Sequence, residues 1–199
     1  MQYPVMEHFY TLQGEGAYTG HAAYFIRLAG CDVACHWCDV KQSWDKNIHP
    51  NINTNDLIIE AMRHEARIAV VTGGEPLMHD CAPLTHALHE KGFKSHIETS
   101  GAYPLSGSWD WVCFSPKKFK APLFEFYQLA NELKIIVYNT SDFAFAEEQR
   151  QKINNKDMVL YLQPEWGARH KVMPMIVDYV KANPIWKVSL QTHKYLDIP

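Results

Sequence analysis

"AAYFIRLAGCDVACHWC", residues 22–38, decides the fold. Its first part, 22–30, is a short run of apolar, aromatic and β-branched side chains and reads as a strand. The strand runs into a loop with Cys31, Cys35 and Cys38 at spacing C-x3-C-x2-C. Three thiols in one loop have no simple packing explanation. The two remaining cysteines, Cys81 and Cys113, stand alone and read as buried structural thiols. An odd total argues against a disulfide framework.

Outward from the loop, short apolar runs alternate with amphipathic stretches. Strands are predicted over 67–74, 94–101, 110–117, 132–138, 157–164 and 186–194. Helices are predicted over 53–66, 80–92, near 122–131, near 142–153 and over 170–183. Asn53 or Thr54 can cap the first helix, and Gly92 can close the second. Alternating strands and helices imply parallel β-α units. About seven strands in 199 residues are too few for a full eight-unit barrel, which takes roughly 250 residues. An incomplete, splayed α/β barrel or a curved open sheet is expected, as one domain over 1–199. In either, the loops after the strands build the active site.

Composition narrows the function. A net charge of −3 calls for no nucleic-acid partner. No apolar run approaches the roughly 18 residues of a membrane span. The first ten residues hold no basic segment followed by an apolar one, so no signal peptide is expected, and a reducing, cytoplasmic setting is the default.

Three metal groups compete for the trio. Structural zinc takes four protein ligands, and His36, between two of the cysteines, would strain the loop as the fourth. An electron-transfer cluster takes four cysteines, and Cys81 or Cys113 could join only through the fold. Three thiolates on a 4Fe–4S cube would leave one iron open, as in catalytic rather than structural sites.

The loop resembles that of the radical S-adenosylmethionine superfamily, and "TGGEP" (72–76) resembles its GGE motif. Further segments are similar to the 7-carboxy-7-deazaguanine synthase family: "TLQGEG" (11–16), "FIRLAGC" (25–31), "IETSG" (97–101), "SPK" (115–117), "LQP" (162–164) and "QTHKYLDIP" (191–199). The likeness runs from end to end. It implies a modified, incomplete (β/α) barrel in a homodimer, and ring contraction of 6-carboxy-5,6,7,8-tetrahydropterin with loss of ammonia. It also implies a 4Fe–4S cluster, S-adenosylmethionine and an external electron donor. A glycyl-radical-enzyme activase shares the cysteine trio, and a protein that only stores a cluster or zinc is the non-catalytic alternative.

Matching positions imply roles. Cys31, Cys35 and Cys38 would hold the cluster. Gly74, Glu75, Ser100, Ser115, Lys117 and Gln163, with Trp37 and Asp39, would meet the cofactor. Leu12, Gln13, Gly14, Glu15, Arg27, Thr72 and Pro199 would meet the substrate. One position departs. The family carries a threonine after Cys-Asp that helps bind magnesium, and here Val40 offers no oxygen to a hard cation. Magnesium through substrate and water alone, metal-independent turnover and an altered substrate all stay open.

Overall fold

The computed structural model describes residues 1–199. It contains β1 (Gln2–Leu12), β2 (Ala22–Leu28), β3 (Asn51–Asn53), β4 (Ile68–Gly73), β5 (Lys94–Thr99), β6 (Trp111–Phe114), β7 (Glu132–Val137), β8 (Val159–Pro164) and β9 (Trp186–Val188). They form one sheet in the order β3-β1-β2-β4-β5-β6-β7-β8-β9. β1 runs antiparallel to β2 and β3, and every pair from β2 to β9 is parallel. The edges β3 and β9 do not pair, so the barrel stays open.

Side-chain alternation sorts the two faces. On β7, Leu133, Ile135 and Val137 pack with Phe114, Phe126, Val172, Ile176 and Trp186. On β2 and β4, Tyr24, Ile26, Leu28, Ala69 and Val71 pack under α1 (Thr54–Ala61) and α2 (Ala82–Glu90) through Leu57, Ile58, Leu84 and Leu88. Burial of each Val, Leu, Ile or Phe side chain here contributes about 1.5–3 kcal/mol. α3 (Phe126–Leu129), α4 (Ser141–Gln151) and α5 (Arg169–Ala182) cover the second half, and α6 (Thr192–Leu196) lies in the tail. The inner face is different. Ala23, Phe25 and Val70 give it a small apolar patch. Elsewhere it carries Arg27, Thr72, Glu98, Lys134 and Gln163, all lining one cavity.

The parallel half agrees with the expected architecture, but nine strands replace about seven. β1 shows no clean alternation beyond Val5, its register shifts between Val5 and Glu7, and Pro4 lies near its start. β3 is too short for any period to show. The expected strand 186–194 stops at Val188, because the chain turns there to reach the N-terminal loop. Thr192 N–H donates to Gly14 O at 2.9 Å, and α6 follows. The helix expected near 122–131 is only the short α3.

The N-terminal loop and the tail span the gap between the sheet edges. Gly16 N–H donates to Ser189 Oγ and Ala17 N–H to Glu132 Oε2, both at 3.0 Å. Thr11 Oγ1 donates to Pro199 O at 3.3 Å.

Candidate active site

One cavity of about 250 Å³ opens at the C-terminal ends of the strands. Its walls hold every site residue expected from the sequence. Leu12, Gln13, Gly14 and Glu15 come from the loop after β1, and Arg27 from β2. Cys31, Cys35, Trp37, Cys38, Asp39 and Val40 come from the cysteine loop. Thr72, Gly74 and Glu75 follow from β4, Ser100, Ser115, Lys117 and Gln163 from the later strand ends, and Pro199 from the tail.

The cysteine loop is clamped to the glycine motif. Glu75 N–H donates to Gly30 O at 2.8 Å, and Gly74 N–H to Leu28 O at 3.2 Å. A Cβ on Gly74 would lie 2.2 Å from Gly30 O and 3.2 Å from Cys31 Cβ, so only glycine permits this approach. Within the loop Ala34 adopts φ +54°, a left-handed conformation that costs a non-glycine residue about 1–2 kcal/mol.

The structure narrows the metal choice to a three-thiol site. His36 is exposed and packs its ring on Phe119 and Tyr138, with centroids 5.4 and 5.2 Å away. Cys81 lies buried near the start of α2, against the carbonyls of Pro76 and His79. Cys113 sits under the cavity floor, beside Glu132. None of the three lines the main cavity, whereas Cys31, Cys35 and Cys38 all do. No three His, Cys, Asp or Glu side chains converge on a single metal ion. Burial pushes the Cys35 thiol up to about 11, although Lys117 pulls the other way, and it also raises Cys31. Such thiols become ligands when a metal draws off their protons. A donor set of three thiols beside a backbone cradle fits a cluster with one open position.

Glu75 is 1% exposed and saturated. Oε1 accepts from Thr99 Oγ1 at 2.6 Å and Leu77 N–H at 3.1 Å. Oε2 accepts from the Ser100 N–H at 2.8 Å and from the Ser100 hydroxyl. Four donors fill a carboxylate's capacity, so Glu75 ties the glycine motif to β5. It can meet a cofactor ammonium only when the rotatable Ser100 hydroxyl turns away. Lys117 donates to Ser115 O and Oγ at 2.5 and 2.6 Å, and burial holds its ammonium below the usual value.

The floor is a buried ion cluster. Lys134, with its side chain 3% exposed, contacts Glu15 Oε2 at 2.5 Å and Glu98 Oε2 at 3.1 Å. Gln13 donates to Glu98 at 3.1 Å, and Gln191 to Glu15 at 2.9 Å. Burial works to raise Glu15, but Lys134 outweighs it and holds the carboxyl at about 2. Burial likewise works against the Lys134 ammonium, yet the surrounding acids keep it well above its usual value.

At the rim, Arg27 sits across from Thr72 in the β2–β4 register. Its Nε donates to Glu7 at 2.6 Å, which leaves both Nη groups for the cavity. The tail packs tightly: a Cβ on Gly14 would lie 2.1 Å from His193 Nδ1. Asp39, beside Val40, is paired with Lys194 at 2.7 Å. Val40 supplies no oxygen, so position 40 offers a magnesium ion no side-chain ligand.

Sequence reasoning passed over Glu98, Lys134, Trp166, Gln191 and His193, which also line the cavity. A signal existed for two of them. Lys134 alternates with Leu133 and Ile135, and Glu98 with Ile97 and Thr99, so each strand carries charge on one face.

A family model described as "4Fe-4S single cluster domain" matches residues 12–137. A 7-carboxy-7-deazaguanine synthase of Flavobacterium psychrophilum is 58% identical over 196 residues, covering 98% of this chain and 92% of the relative. The one from Synechocystis is 46% identical, covering 100% and 94%. The crystal structure of QueE from Escherichia coli superposes with a TM-score of 0.84 at 35% identity, covering 96% of this chain and 94% of that one. By sequence along its length, by fold and by the cluster-domain match, the chain belongs to the 7-carboxy-7-deazaguanine synthase family.

Proposed function

We propose that this chain converts 6-carboxy-5,6,7,8-tetrahydropterin into 7-carboxy-7-deazaguanine and ammonia, as a radical S-adenosylmethionine enzyme of queuosine and 7-deazapurine biosynthesis. One observation carries the reading. A three-thiol loop opens on the same cavity as a buried acid–lysine floor and an arginine-bearing rim.

Cys31, Cys35 and Cys38 would hold the cluster. When bound, the cluster and cofactor supply a 5′-deoxyadenosyl radical that takes hydrogen from C6 of the pterin. The chain supplies position, charge and exclusion of water. Gly74 backbone and Glu75 receive the methionine end of the cofactor, with the Ser100 hydroxyl giving way. Trp37, Asp39, Ser115, Lys117 and Gln163 complete that pocket. The free Nη groups of Arg27 grip the substrate carboxylate, with the Thr72 hydroxyl beside them. Leu12, Gln13 and Gly14 wall the ring. Glu15 and Glu98 share one lysine, so the floor keeps acceptors for a guanidine-like edge. Pro199 lines the same cavity.

Magnesium finds no side-chain ligand at Val40, and no step depends on it here. Its partners at that position would be substrate and water. The same reading includes one domain over 1–199, a homodimer, an external one-electron donor and a reducing, cytoplasmic setting, with neither nucleic acid nor membrane as partner. No helix is long and apolar enough to cross a membrane.

Anaerobic turnover of the pterin by the reconstituted, reduced protein tests the assignment. 7-Carboxy-7-deazaguanine and an equal amount of ammonia are expected. Release of 5′-deoxyadenosine without that product would keep the radical chemistry and reject the substrate.

A further inference from the structure

Beneath the floor of the main cavity lies a second, smaller one. Gln13, Glu15 and Glu98 line both. The polar walls of the lower cavity are completed by His96, Cys113 and Glu132, around room for one water-sized group. The strand register stacks them: His96 lies across from Trp111, Glu98 from Cys113, and Cys113 from Glu132. Tyr18 closes the underside, with its ring 4.4 Å from His96 and 5.0 Å from Trp111. His21, with its ring 5.3 Å from that of Tyr18, is exposed.

One atom marks this space as more than a packing void. His96 Nε2 is buried and has no hydrogen-bond partner, in a side chain 3% exposed. A buried nitrogen left unpaired is costly, and it calls for a bound water or ion. The charges point the same way. Glu15, Glu98 and Glu132 gather around one ammonium, that of Lys134. Lys134 reaches Glu15 and Glu98 directly, while Glu132 accepts a backbone N–H from Ala17. Burial pushes the Glu132 carboxyl up and holds the His96 imidazole at about 4, so His96 contributes no positive charge at neutral pH. Carboxylate oxygens, an imidazole and a thiol, with Tyr18 and Trp111 in the same wall, suit a small cation that donates hydrogen bonds.

We propose that this lower cavity is an ammonium site, which takes up the nitrogen expelled in each turnover on its way to the underside of the sheet. The assignment to product rests on the reaction proposed above. The site itself rests on the orphaned His96 nitrogen, the under-neutralised acids and the floor residues that both cavities share.

Thallous ion has nearly the size of ammonium and scatters anomalously. Crystals of the full holoenzyme soaked in it at constant ionic strength should show a peak between His96 Nε2 and the Glu132 carboxylate. Excess ammonium should displace it and tetramethylammonium should not. Glu132→Gln keeps the shape and removes the charge, and should weaken thallous binding at least about tenfold. His96→Phe fills the void and removes the nitrogen, and gives a second reading should the first variant not fold. Added ammonium should also inhibit turnover of the pterin, with an inhibition constant about tenfold higher in Glu132→Gln. A cavity holding only water in a protein that does turn over would overturn the site, as would equal ammonium inhibition in both proteins. Thallous binding in a protein that makes no product from the pterin would instead remove the reaction, and with it the assignment to product ammonium.

Discussion

Lys134→Met tests the floor of the main cavity most severely. Methionine keeps the stem and removes the ammonium. The side chains of Lys134, Glu15 and Glu98 are 3%, 14% and 22% exposed, so solvent screens this cluster little. In the wild type Glu15 is held at about 2 rather than 4.5, because Lys134 outweighs the effect of burial. That difference is worth roughly 3 kcal/mol. The folded-state value is depressed, so the contribution is present above pH 4.5 and is lost as pH falls toward 2. Removing Lys134 leaves two poorly hydrated carboxylates facing each other, a change that typically costs about 3–5 kcal/mol. A loss of about 3–4 kcal/mol is therefore expected at pH 7. At pH 5 the loss should be smaller, because burial lifts the unpaired carboxyls and protons then relieve them. Urea denaturation of wild type and variant at both pH values measures it. A loss below about 1 kcal/mol at pH 7, typical of an exposed pair, would refute the reasoning. An equal loss at both pH values would refute it as well.

Other perturbations separate the parts of the site. Gly14→Ala places a Cβ 2.1 Å from His193 Nδ1 and should displace the tail. It should cost about 1–3 kcal/mol by thermal or urea unfolding and raise KM for the pterin, and unchanged values would show that the tail does not pack there. Val40→Thr adds an oxygen facing the cavity and should make turnover respond to magnesium after chelator treatment. No change in that response would show that position 40 does not set metal use. An extension beyond Pro199 should raise KM for the pterin with little effect on cluster content, and normal turnover by the extended protein would remove Pro199 from the site.

What the sequence reveals depends on how local the physics is. Cys31, Cys35 and Cys38 are legible because metal chemistry confines thiols to one loop. Gly74 is legible because a backbone approach that excludes any Cβ leaves a glycine behind. The parallel strands are legible because their outer faces are apolar at period two, as at Leu133, Ile135 and Val137. Lys134 and Glu98 were harder. Each is a charged residue on a strand whose partners lie far off in sequence, 119 residues apart in the Lys134–Glu15 pair and 36 in the Lys134–Glu98 pair. β1 was hidden for another reason. It is largely half-exposed beyond Val5 and pairs antiparallel, so neither a buried run nor a clean alternation marks it. The saturation of Glu75 by Thr99, Ser100 and Leu77 could be seen only once β4 and β5 were neighbours.

The central claim is that three thiols leave one cluster position for a cofactor whose radical acts on C6 of a pterin held by Arg27 and the acid–lysine floor. The most direct measurement is anaerobic turnover of 6-carboxytetrahydropterin carrying deuterium at C6. The account predicts 7-carboxy-7-deazaguanine, with deuterium appearing at the 5′ position of recovered S-adenosylmethionine or 5′-deoxyadenosine. Cofactor cleavage with no deuterium in the adenosyl group, and no deazaguanine formed, would contradict it.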